Sequence, residues 1–165
     1  MKKHCITLTL LLLFAAAGCG EKLPDGMPKP YPVTITIIQD GKPLAGASVA
    51  LAPKNVTAGQ RYTAGAVTNA SGQAVMQTLG KYHGAVPGEY QITVLKTEFE
   101  VTPLAAAERG APKENVVGYY TIDVRYGTVS TSPESITVEQ KTNRKTIDVG
   151  KAIRLSSAKA YKTPN

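Results

Sequence analysis

Hydrophobic and polar positions alternate with a period of two in several short stretches of the chain, the pattern of a strand with one face buried. The clearest is Gly88 to Lys96, which sets Tyr90, Ile92 and Val94 on one face. Tyr31 to Ile38 does the same with Val33, Ile35 and Ile37, and Gly46 to Pro53 with Ala47, Val49 and Leu51. Gln39-Asp40-Gly41-Lys42 supplies turn chemistry, because glycine accepts positive φ and aspartate caps local amides. Tyr62 to Thr68 and Gln73 to Thr78 flank a second turn, Asn69-Ala70-Ser71-Gly72, while Leu79 to Pro87 reads as irregular. Near the end, Glu134 to Gln140 places Ile136 and Val138 on one side, and Lys145 to Ile153 continues the pattern after the turn residues Thr142-Asn143-Arg144.

From Thr97 to Val117 the rhythm breaks. Thr102-Pro103-Leu104-Ala105-Ala106-Ala107-Glu108-Arg109-Gly110 reads as a short helix, with threonine at the N-cap, proline at the first helical position and glycine beyond the last turn. Six or seven strands at turn spacings of about 8 to 12 residues predict an all-β chain, an antiparallel β-sandwich of about seven strands with one short helix in an insertion. The β-α-β rhythm of a parallel sheet is not visible.

The chain opens differently, with a cationic start of Lys2, Lys3 and His4 and an apolar run from Ile6 to Ala17 interrupted only by Thr7 and Thr9. The run is shorter than the roughly 20 apolar residues needed to cross a hydrocarbon core. Its charged, apolar and small-residue parts are those of an export signal helix, and Ala15, Ala16, Ala17 and Gly18 suit a peptidase cleft. Residues 1–18 are therefore expected to be removed, leaving 147 of the 165 residues. Residues 19–30 read as a flexible tether rich in proline and glycine. Residues 31–155 make one sandwich domain of ordinary size, and 156–165 a polar, disordered tail.

Charge and cysteine count narrow the partners. Loss of Lys2 and Lys3 leaves 17 of the 19 basic residues against 12 acidic ones, scattered singly from Lys22 to Lys162. No run or stripe is there to track a phosphate backbone, so nucleic acid is not an expected partner. Cys5 departs with the signal, which leaves Cys19 without a disulfide partner.

Ala16-Ala17-Gly18-Cys19 resembles the lipobox of bacterial lipoproteins, although Ala16 stands where that family usually has leucine. The resemblance implies cleavage between Gly18 and Cys19, with covalent diacylglycerol and an N-acyl chain on Cys19 and no other cofactor. At about 0.8 kcal/mol per buried methylene, two or more acyl chains hold a protein stably where one is marginal. Membrane lipid is then the first expected partner. Gly20 replaces the aspartate that retains some lipoproteins at the inner membrane, so the expected address in the cell envelope is the outer membrane or cell surface.

Three further stretches resemble the carboxypeptidase-regulatory-like, or transthyretin-like (prealbumin-like), sandwich found in small bacterial lipoproteins. They are Gly41-Lys42-Pro43-Leu44-Ala45-Gly46-Ala47-Ser48-Val49, Thr68-Asn69-Ala70-Ser71-Gly72-Gln73-Ala74, and Val86-Pro87-Gly88-Glu89-Tyr90-Gln91-Ile92-Thr93-Val94. A fourth likeness lies in Val124-Arg125-Tyr126 followed by Thr131 to Val138. Such a fold transfers more readily than a function. Hydrolases and iron dioxygenases on related sandwiches use several histidines, whereas His83 is the one histidine left after residue 18.

Catalytic and metal-ligating residues are accordingly expected to be none. A zinc set would need more histidine or cysteine, and Glu98 and Glu100, two apart on an extended segment, read as solvated charges. An isopeptide bond using Asn69, Glu89 and a lysine has no spacing to select its members. Tyr119, Tyr120 and Tyr82 are the candidate ligand contacts. In a strand the rings of Tyr119 and Tyr120 point to opposite faces, one to the core. The expectation is a non-enzymatic interaction or structural module whose partner is an envelope protein or polysaccharide; a carbohydrate-binding or transport-accessory role is the alternative.

Overall fold

The computed structural model describes residues 22–55, 62–103 and 114–157. Asp40 and Gly41, at φ 50° and 70°, turn the chain between β1 (Val33–Gln39) and β2 (Lys42–Pro43), as an Asp-Gly pair favours. β3 (Ser48–Pro53) and β4 (Ala64–Val67) then pair antiparallel. Asn69 builds the next corner, its Oδ1 accepting from the amides of Ser71 and Gln73 at 2.9 and 3.0 Å. β5 (Gln73–Val75), β6 (Gln77–Thr78) and β7 (Tyr82–His83) follow. The stretch that reads as irregular thus holds a hairpin, turned by Leu79 and Gly80 at φ 55° and 68°. Leucine rarely adopts that region, so no turn signal announces it. The chain continues through β8 (Gly88–Leu95), β9 (Thr97–Pro103), β10 (Glu114–Tyr120) and a 3₁₀ turn (Val124–Gly127). It finishes with β11 (Ser135–Val138), β12 (Asn143–Asp148) and β13 (Leu155–Ser156).

Apart from β9, β10 and β13, these strands form the two sheets of the all-β sandwich that the alternation predicts. One sheet has the order β12-β1-β2, with β5 also on β1; the other runs β11-β8-β3-β4-β6-β7. Val33, Ile35, Ile37 and Ile147 from the first meet Val49, Leu51, Tyr90, Ile92 and Val94 from the second in one buried cluster. At about 1.5–3 kcal/mol for each large apolar side chain taken out of water, this layer dominates the favourable side of folding. Pairing is antiparallel except between β1 and β12, which run parallel from Val33 opposite Asn143 to Ile38 opposite Asp148. The Tyr90 hydroxyl donates to the Val86 carbonyl at 2.8 Å inside the core, and burial pushes its pKa up to about 12.

Several local expectations give way to tertiary pairing. Thr102 and Pro103, read as a helix start, end β9 opposite Asn115 and Glu114; residues 104–110 lie outside the described residues. Asn143 and Arg144 open β12 instead of a turn, because β1 offers them a partner strand. Leu155 and Ser156 pair with β10, so Ser156 belongs to the domain and not to a tail; residues 158–165 lie outside the described part. Nor is the tether wholly detached: Met27 is buried, and Tyr82 donates to the Lys22 carbonyl at 3.2 Å. An unbranched thioether adapts well to such a gap. The signal segment, with Gly18 and Cys19, also lies outside the described residues.

The sandwich has two distinct ends. The N-terminal segment enters at one, where Tyr31 and Ala85 exchange backbone hydrogen bonds of 2.8 and 3.0 Å. β1 crosses the domain over about 20 Å at strand rise. At the far end Gln39 Nε2 donates to the Thr121 carbonyl at 2.7 Å. β8 runs the same way, since Lys96, just beyond it, accepts from the Thr121 amide at 3.1 Å.

Candidate functional site

β9 follows β8 with only Lys96 between them, yet it leaves the six-stranded sheet and pairs with β10 instead. Together with β13 these strands form a separate three-stranded ribbon, ordered β13-β10-β9, at the far end of the sandwich. The sequence of β9 alternates, so Thr97, Phe99 and Val101 share one face and Glu98, Glu100 and Thr102 the other. Residues directly opposite across the ladder share a face. The register therefore adds Tyr120, Gly118 and Val116 to the first face and Tyr119 and Val117 to the second.

The second face is concave and carries the charged groups of the ribbon. A site of about 430 Å³ is lined by Gln39, Glu98, Glu100, Tyr119, Thr121 and Arg154, together with Phe99, Ala152 and Ile153. Arg154, next to β13, lies 4.0 Å from the centre of the Tyr119 ring and pairs with Glu100 on β9. Hydrogen bonding to Tyr119 holds this guanidinium above its ordinary range, against a desolvation penalty and with help from the Glu100 and Glu98 carboxylates. Glu98 pairs with Lys96 at 3.3 Å. Both carboxylates are thus already engaged by cations, an arrangement suited to holding a polar ligand by fixed charges and hydroxyls.

The first face is apolar. Phe99 is 70% exposed, Val116 57% and Val101 53%, a large fraction for three neighbouring hydrophobic residues. A Cβ on Gly118 would lie 3.3 Å from the Phe99 ring, so the ring covers the glycine across the ladder, as aromatic residues do opposite strand glycines. Where the ribbon joins the sandwich, this face runs into an apolar groove of about 360 Å³ lined by Leu95, Tyr120, Val124 and Gly127.

The structure distributes the sequence-derived candidates unevenly. Tyr119 lines the concave site, and Tyr120, only 8% exposed, sits on the opposite face. Tyr82 does not join them. It stands on β7 at the edge of the six-stranded sheet, with Lys81 Nζ 5.5 Å from its ring centre and Lys22 at its hydroxyl. His83 is exposed on the same short strand, paired with Gln77 on β6. Asn69 and Glu89 are exposed, and the Asn69 side chain is spent on its own turn, which removes the buried setting that an isopeptide bond requires. Among the described residues no cluster of three histidine, cysteine or acidic side chains could hold a metal ion, and no helix is long and apolar enough to cross a membrane.

Sequence reasoning passed over Gln39, Thr121 and Arg154, which come from distant parts of the chain and share no motif. Glu98 and Glu100 were legible as a same-face pair; the cations beside them were not. The alternation Thr97-Glu98-Phe99-Glu100-Val101 was the available signal for the ribbon. Comparison with family models, with curated proteins and with solved structures returns no match to the chain.

Proposed function

We propose that the chain is a lipid-anchored protein of the bacterial cell envelope, cleaved after Gly18 and acylated on Cys19, whose transthyretin-like sandwich serves as a non-enzymatic interaction module. The observation that carries this reading is the polarity of the domain. The N-terminal segment joins at the Tyr31–Ala85 end, whereas the ribbon, with its exposed apolar face and its concave site, stands at the Thr121 end. A protein tethered through Cys19 would hold its ribbon away from the lipid and toward an envelope partner, at the outer membrane or cell surface. The lipobox-like residues support the anchor, and cation-engaged carboxylates support binding over proton transfer.

Anchoring is tested by Cys19→Ser in the expressing cell, which is expected to abolish incorporation of labelled fatty acid and to move the protein to the soluble fraction. Unchanged labelling overturns the anchor. The display geometry is tested by a photo-crosslinking residue at Val116, expected to yield protein adducts in intact cells; adducts to lipid alone overturn it.

A polysaccharide partner rests on the concave site, where Tyr119 stands among Gln39, Glu98 and Thr121. Arg154 covers one side of that ring, so a sugar would have to take the other side or displace the guanidinium. Loss of glycan-array binding on Tyr119→Ala would favour this reading over a protein partner.

A further inference from the structure

The ribbon ends in an open edge. In the order β13-β10-β9 the outer side of β9 faces no described strand. The bond from the Thr121 amide to the Lys96 carbonyl sets the phase of the ladder: with alternate residues turned toward β10, the amides and carbonyls of Thr97, Phe99 and Val101 project outward. Three donors and three acceptors along an extended line match the repeat of one other kind of group, an extended polypeptide backbone. The other edges are less available. β2 and β7 are two residues long. The β12 edge is approached by β11, whose Ser135 carbonyl accepts from Lys145 Nζ at 3.0 Å while Glu134 pairs with the same ammonium at 2.9 Å.

Proteins blunt open edges with lysine, proline or inward-pointing charge. β9 has Pro103 at its far end, but its centre presents exposed Phe99 and Val101 beside Val116. A second copy of the chain is a poor occupant. Antiparallel self-pairing centred on Phe99 sets Glu98 opposite the other copy's Glu100, and centring on Glu100 sets two Glu100 side chains face to face, both destabilising. Centring on Val101 sets Pro103, which has no amide hydrogen, opposite Phe99.

We propose that the free edge of β9 is a strand-addition site for an extended segment of another protein, with apolar side chains on the Phe99 and Val101 side and basic side chains on the Glu98 and Glu100 side. This rests on the interaction-module reading and specifies its partner's chemistry. Glu98 and Glu100 remain 61% and 53% exposed beyond their present ion pairs, and a carboxylate can accept from more than one donor. The apolar residues of the added strand would continue the Phe99–Val101–Val116 surface toward the groove at Leu95 and Val124.

The test is hydrogen exchange on the full chain with a blocked octapeptide of alternating valine and lysine as probe. Exchange at Thr97, Phe99 and Val101 is expected to slow by about tenfold or more at saturation, as amides gain hydrogen-bond partners. Val101→Pro removes the last of the three outward donors, at a position where an edge strand tolerates proline; it is expected to cut peptide affinity by about tenfold with the fold intact by circular dichroism. The double variant Glu98→Lys, Glu100→Lys is expected to reverse the preference toward an alternating valine–glutamate peptide. Protection elsewhere, or unchanged affinity in Val101→Pro, overturns the proposal. A dimer in sedimentation equilibrium that Val101→Pro dissolves also overturns it, by assigning the edge to a second copy. If the peptide fails while Val116 still yields protein adducts in cells, the interaction module stands and the edge site falls; if Val116 yields only lipid adducts, the module falls first.

Discussion

Gly84 occupies the point where the N-terminal segment is fastened to the sandwich, and Gly84→Ala tests that fastening. Its φ is +95°, and an added Cβ would lie 2.0 Å from the Tyr31 carbonyl oxygen and 2.4 Å from the Tyr31 carbonyl carbon. Forcing a side chain into positive φ costs about 1–2 kcal/mol. Relieving the overlap requires moving Tyr31 away, which breaks the two bonds it exchanges with Ala85, at about 1 kcal/mol each. The sum is about 3–4 kcal/mol, a large part of the roughly 5–15 kcal/mol that holds a domain together. With a urea slope of about 1–3 kcal/mol per molar, the unfolding midpoint should fall by about 2 M. Gly80→Ala is the matched control: its φ is +68° with nothing within 4 Å of the new Cβ, so only the same conformational cost of about 1–2 kcal/mol applies. Equal midpoints for the two variants would refute the close approach of Tyr31 to Gly84, and with it the entry point of the tether.

Tyr90 should make the domain sensitive to alkali. Its pKa is raised to about 12 from an ordinary 10.0, so its stabilising contribution is complete below pH 10 and is lost as pH rises from 10 through 12. Two units amount to at most about 2.7 kcal/mol, and denaturant titrations of wild type and Tyr90→Phe should converge over that window; a constant gap between them would refute the buried neutral hydroxyl. Below pH 10 the variant is expected to lose about 1–3 kcal/mol, because the Val86 carbonyl loses its donor. Asn143→Ala should cost about 2–3 kcal/mol in urea unfolding, since this side chain accepts from the Glu139 amide at 2.9 Å and donates to the Glu139 and Lys141 carbonyls at 3.0 and 2.6 Å. A loss below about 0.5 kcal/mol, the level of an ordinary surface change, would show that the β11–β12 turn does not depend on it.

The local parts of the fold were legible because their physics is local. A period of two over Val33 to Ile37, Ala47 to Leu51 and Tyr90 to Val94 fixes which side of each strand is buried, and all nine of those apolar positions lie in the core. Asp40-Gly41 and Asn69 to Gly72 determine their turns through backbone freedom and side-chain capping within a few residues. The opposite faces of Tyr119 and Tyr120 follow from strand geometry alone. Cys19 remains the residue whose proposed chemistry is read directly from its neighbours in sequence.

Pairing between distant segments was decided by tertiary structure. The turn at Asn69 looks like a simple hairpin, yet β4 on one side of it joins the six-stranded sheet while β5 on the other pairs with β1. The parallel match of β1 with β12 closes the sheet through most of the chain, which no local window contains. Helix-start chemistry at Thr102 and Pro103 lost to the ladder with β10, because the ladder satisfies backbone groups that a short isolated helix would leave costly to nucleate. The concave site belongs to the same class: Gln39, Glu98, Tyr119 and Arg154 meet only because the β13-β10-β9 ribbon grows from the end of the sandwich where β1 finishes. Alternation tells each strand which face to bury; which strand lies beside it depends on the summed contacts of the whole core.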